Sequence, residues 1–174
     1  MADFIATFPP TTVKATLAGF PGMVLGQEVF FPAQGVDKTS TTNLPPDLGE
    51  PGVWARLVLN DSGSNIARGA VLSRKDSEVK CHVKAAPTST DGTSVCGVAL
   101  GAITSTYYGF MCISGQCGVL AGAAGFSANV AVIQSTVAAG CAVNSAATPP
   151  ADAFGRSHEA ATSGNLGKCT IFRK

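Results

Sequence analysis

Between Gly92 and Ala151 the chain has no Asp, Glu, Lys, Arg or His. Across these residues the only ionisable side chains are Tyr and Cys, and all 23 (12 + 11) charged residues and both histidines lie in the flanks. The stretch therefore supplies none of the acids, bases or imidazoles on which most hydrolytic and metal-dependent chemistry depends. It has to be hidden in a membrane, in a core or against other chains. Charged residues make up 13% of the chain, against a typical value of roughly 25%, which excludes disorder for most of it. A net charge of +1 leaves no global field to recruit nucleic acid or an anionic membrane. So little surface charge is also a solubility liability for a free monomer and points to assembly.

Sustained helical periodicity is absent too. The longest uncharged apolar region, 118–143, is broken by Gly118, Gly122, Gly125, Asn129, Gln134, Ser135, Thr136 and Gly140. A spanning helix needs about 20 predominantly apolar residues, so no membrane partner is expected. The first residues, Met1-Ala2-Asp3-Phe4-Ile5-Ala6, carry an acid and no basic run, unlike a secretory signal.

Chemical motifs are equally scarce. There is no Walker A loop, nucleophile elbow, HExxH or EF-hand pattern. His82 sits between Lys80 and Lys84 on the polar face of a strand pattern, where a solvated side chain is expected, and His158 lies in a polar loop or helix start. Asp76 and Glu78 read as a charged turn among Arg74, Lys75 and Lys80. The basic residues from Arg68 to Lys84 lack the interleaved aromatics of single-strand readers. Asn60-Asp61-Ser62 has the form of a glycosylation sequon and reads as a turn. Six cysteines (81, 96, 112, 117, 141, 169) form no CxxC pair. If Ser114-Gly115 is a two-residue hairpin turn, Cys112 faces Cys117 at about 4.5 Å between Cα atoms, within disulfide reach. Two reduced thiols fit the same pattern. No metal, cofactor or catalytic residue is expected.

What is present is β structure and proline. Residues 1–50 hold Pro9-Pro10, Pro21, Pro32 and Pro45-Pro46 together with many Phe side chains. Each proline deletes a ladder donor, so an extended N-terminal arm over 1–50 is expected. It cannot bury its apolar residues on itself and is expected to lie on another surface, either its own domain or a partner, with Phe4, Ile5, Phe8, Phe30 and Phe31 as the candidate anchors. Residues 51–174 form the β domain. Alternation in 53–60 puts Val53, Ala55, Leu57 and Leu59 on one face. Further short strands are expected at 69–73, 79–84, 95–100, 109–114, 116–120, 129–134 and 167–172, with a short helical turn allowed at 98–105 and another in 151–161. The turn spacing fits an all-β sandwich or barrel of short antiparallel strands.

Four places carry a resemblance. They are the run from Val53 to Gly63 followed by Ala67 to Leu72, the run from Val95 to Ile103, the run from Tyr108 to Gly115, and the run from Ala138 to Val143 with Gly155-Arg156 ahead of the last strand. Over roughly 51–174 the chain resembles the head decoration, or capsid cement, proteins of tailed bacteriophages. The resemblance implies a non-enzymatic protein, often a homotrimer, made in the host cytoplasm and seated on the outer surface of the virion. Its partners would be the major capsid protein and further copies of itself. Charge-poor β faces suit interface cores, which are depleted in Lys, Glu and Asp. An alternative is a carbohydrate-binding β module of a phage tail or other surface structure, for which Trp54, Tyr107 and Tyr108 are the available aromatics. A β-fold hydrolase is disfavoured by the charge gap.

Overall fold

The computed structural model describes residues 10–31, 52–75, 81–88, 95–145 and 153–172. Among the described residues the regular structure is all β apart from a single 3₁₀ turn, Leu17–Gly19. The strands are β1 (Glu28–Phe31), β2 (Val53–Asn60), β3 (Val71–Arg74), β4 (His82–Ala85), β5 (Val95–Ala99), β6 (Tyr108–Leu120), β7 (Ala131–Gln134), β8 (Ala142–Asn144), β9 (Gly155–Ser157) and β10 (Leu166–Ile171). They hydrogen-bond in the order β1-β2-β4-β3-β5-β6-β10-β9-β7-β8. An additional β2–β6 pairing closes β2-β4-β3-β5-β6 into a five-stranded barrel. All these pairings are antiparallel except β2–β4, which is parallel. No helix is long and apolar enough to cross a membrane among the described residues.

Two apolar clusters follow from this closure. Every barrel strand contributes to the smaller one: Val58, Leu72, Val83, Ala99, and Met111 with Ile113, with Ile66 and Ile103 added from loops. These side chains fill the barrel interior, as expected for a small barrel. The larger cluster lies on the outer faces of β2 and β6. It joins the barrel to the lobe formed by β7–β10 and to Phe20, Met23, Val29 and Phe31. The alternation in β2 places Val53, Ala55 and Leu57 in the larger cluster, as expected, while Val58 on the opposite face enters the barrel. The strand is therefore buried on both sides through its centre.

The expected hairpin at Ser114-Gly115 does not form. Residues 108–120 make one strand that changes partners, pairing with β2 through Gly115 and with β10 from Gly115 onward. Ala55 faces Cys112 and Trp54 faces Ser114, so Ile113 is an extra residue, a bulge that bends the strand. Gly115 has φ +107, and a Cβ there would meet the Gly52 carbonyl oxygen at 2.4 Å. Glycine is needed for close packing of two strands, not for chain reversal. The Cys112–Cys117 facing pair disappears with the hairpin, and all six cysteines are free. Residues 98–105 form the end of β5 and a bend instead of a helical turn, with Ile103 bridged to Ile66. In the second region where a helical turn was allowed, β9 forms instead.

Of the 1–50 region, residues 10–31 fold onto the domain. Lys14 exchanges backbone hydrogen bonds with Tyr108 at 3.0 and 2.8 Å, Phe20 is buried against Phe110, and β1 pairs with β2. The other residues of that region lie outside the described set.

Candidate functional site

β1 alternates half-buried and buried positions. Val29 and Phe31 turn inward, and Glu28 and Phe30 turn out. The ladder register places Phe30 opposite Trp54 and Glu28 opposite Arg56. The Phe30 and Trp54 rings are in contact, with centroids 5.4 Å apart and planes tilted by 48°. Beside them Arg56 Nη2 donates to Glu28 Oε1 at 2.5 Å.

The row continues across the sheet. Trp54 is opposite Ser114 on β6, and Gly115 is opposite Ile171 on β10. One step beyond that pair Phe172 comes alongside Ser114. Phe30, Trp54, Ser114 and Phe172 thus form a line over four adjacent strands. Trp54 is 40% exposed and Phe172 46% exposed, and both are among the few large apolar side chains the described fold leaves in solvent. Two strand spacings, about 10 Å, separate Trp54 from Phe172. The outward positions between and beside them on β6 and β10 are Ser114, Gln116 and Thr170, all uncharged. Trp and Arg are the residue types enriched where binding energy concentrates.

The structure separates the five candidate anchors. Phe30 belongs to the row. Phe31 is buried, packing edge-on against Phe110 at 5.0 Å, and is a core residue because alternation along β1 turns it inward. Phe4, Ile5 and Phe8 lie outside the described residues. Phe172 belongs to the row although nothing local marks it; the period-two pattern of 167–172 was its available signal. The aromatics considered for carbohydrate are not gathered. Tyr108 faces Leu59, five residues along β2 from Trp54, and packs on the larger core, while Tyr107 packs on the barrel interior cluster.

Polar groups elsewhere hold loops. Asn60 is buried, and its Nδ2 donates to the carbonyls of Ser64 and Ile103 at 2.8 Å each. Its Oδ1 accepts from the Ser62 amide at 3.1 Å and the Ser62 hydroxyl at 2.7 Å. The sequon asparagine is thus a fully satisfied turn anchor. Lys75 Nζ donates to Asp61 Oδ2 at 2.8 Å, and His82 Nδ1 lies 3.0 Å from the same oxygen. The Lys75 bond, followed by the His82 bond, holds the Asp61 carboxyl below its ordinary pKa. His158 Nε2 lies 2.6 Å from Thr170 Oγ1. Among the described residues no group of three or more His, Cys, Asp or Glu gathers as a metal site. The exposed loops of the charge gap, at 123–124, 127–129 and 136–139, carry only neutral side chains.

The class defined by this geometry is a small β-barrel with a β lobe attached and an aromatic row, flanked by one ion pair, across its face. Among solved structures, the chain is similar to the head fiber gp8.5 N base of bacteriophage phi29, with 17% sequence identity and a TM-score of 0.51 over 69% of this chain and 94% of that one. At that identity the likeness is one of fold. No protein-family model and no curated protein matches the chain.

Proposed function

We propose that the chain is a structural protein of a phage virion that binds the outer surface of the capsid and stabilises it, with the row Phe30–Trp54–Phe172 as its contact face. The observation that carries this reading is the fold shared with a phage head fiber base, in a chain whose exposed aromatics line up beside a neutralised Arg56–Glu28 pair. The ionisable groups nearest that face, Glu28 and Arg56, are paired with each other. In this reading the chain is made in the host cytoplasm, associates with copies of itself as a homotrimer and bridges major capsid subunits, so that many identical copies add avidity.

Sedimentation of the purified chain with undecorated shells tests the proposal. Co-sedimentation, with shells that resist a higher temperature, is expected; a chain that stays in the supernatant overturns it. The mass in solution tests the trimer separately. Micromolar binding on a glycan array, with no affinity for shells, would favour the carbohydrate reading that Trp54 alone supports.

A further inference from the structure

The pairing of β6 with β10 brings two thiols face to face. Cys117 is opposite Cys169 in the ladder, and both are buried in the larger apolar cluster. The Ala121 amide donates to the Asn165 carbonyl at 2.9 Å. Directly hydrogen-bonded pairs recur at every second residue, so Cys117 and Cys169 form one, with Cα atoms about 5.5 Å apart. Disulfides accept Cα separations of about 4.4–6.8 Å, so the pair is within bridging reach once local adjustment draws its Cβ atoms together. A third thiol, Cys112, five residues before Cys117 on the same strand, donates to the Ser114 carbonyl at 3.7 Å. Nothing in the capsid reading uses these groups.

We propose that Cys117 and Cys169 close a cross-strand disulfide when the chain meets a low-molecular-weight disulfide oxidant such as oxidised glutathione, with Cys112 left as a thiol. One cysteine sulfur attacks the oxidant, forming a mixed disulfide and releasing one glutathione thiol. The other cysteine sulfur then displaces the second glutathione. Two thiol protons and two electrons pass to the oxidant, which leaves as two thiols. The new bond spans the β6–β10 seam that joins the barrel to the second lobe. Thiolates are the attacking species. The Cys112 thiol and burial hold the Cys117 thiol well above its ordinary pKa, and burial, with Glu159 nearby, pushes Cys169 up to about 12. Exchange is therefore slow in the closed sheet and fast while the chain is folding.

The test is to refold the full chain in oxidised glutathione and map its peptides without reduction. The expected result is a Cys117–Cys169 linkage, a mass lower by two hydrogens, and a Tm raised by about 5–10 °C, as a long closed loop would give in a domain of this size. Dithiothreitol should reverse the shift. Cys112→Ala should keep the linkage, and Cys169→Ala should lose it. Mapping the unaltered chain needs no variant to fold. Recovery of unlinked thiols, glutathione adducts alone, or a Cys112–Cys117 bond overturns the proposal.

Discussion

Trp54 lies directly opposite Phe30 in the β1–β2 ladder, with their rings 5.4 Å apart, and the contact leaves the indole 40% exposed. An aromatic pair of this kind is held in place by its own ladder and still offers apolar area to another surface. Replacing Trp54 by Ser should therefore affect binding more than folding. Shell affinity is expected to fall by about 10–100-fold, with Tm changed by only a few degrees. Sedimentation isotherms beside a thermal melt check both.

Phe31, the next residue, should behave in the opposite way. It is buried against Phe110 at 5.0 Å. Phe31→Ala is expected to cost about 3–5 kcal/mol of stability, measured by denaturant unfolding. In the fraction that remains folded, shell affinity should be unchanged.

Asn60 ties three loop positions together through four side-chain hydrogen bonds. Asn60→Ala leaves the buried Ile103 carbonyl without that donor. The loss is expected to be about 2–4 kcal/mol, given the cost of unsatisfied buried groups. Amide hydrogen exchange should show the loosening centred on residues 60–66 and 103–107.

Gly115 has φ +107 and backs onto the Gly52 carbonyl. Gly115→Ala combines an unfavourable φ with a backbone clash, so a loss of at least about 2 kcal/mol is expected. Gly63, also at positive φ but with open space around it, is the control. The same substitution there should cost about 1 kcal/mol, from the left-handed conformation alone.

Asp61 supplies the pH prediction. Its carboxyl is held below the ordinary value by Lys75 first and His82 second. A depressed carboxylate contributes stability above the unfolded-state pKa, near 3.8, and that contribution is lost as pH falls through the lower folded value. Carboxyl chemical shifts should place the Asp61 midpoint below 3.8, the ordinary value. Lys75→Ala should move it upward.

Much of the β structure was legible locally. The run 53–60 forms β2 with the expected bounds, because its alternating apolar run ends at a turn-forming Asn-Asp-Ser. The core of each of 95–100, 129–134 and 167–172 also forms a strand. Local sequence does not mark β1, β8 and β9 as strands. Each has only three or four residues, too few for a period to show, and each exists because a partner lies alongside. At 114–115 local and distant preferences conflict. Ser-Gly is good turn chemistry, but the strand that runs through it pairs with β2 on one stretch and β10 on the next, and this long ladder outweighs a two-residue hairpin.

The candidate site was legible only in part. Phe30 and Phe31 are adjacent apolar residues in the sequence, and the alternation of β1 separates them into an outward and an inward side chain. Phe172 could be connected with Trp54 only through β6, which lies between them.

The amino-acid order by itself determined the all-β character and most of the inward face of β2, because burial with period two is a property of a strand's own residues. It also determined the neutrality of the middle third. The tertiary structure decided which strands are neighbours. The barrel closure through β2 and β6, the row from Phe30 to Phe172 and the meeting of Cys117 with Cys169 all depend on pairing between distant segments. That pairing is settled by the combined burial of two clusters in the whole chain, and no short stretch of sequence carries it.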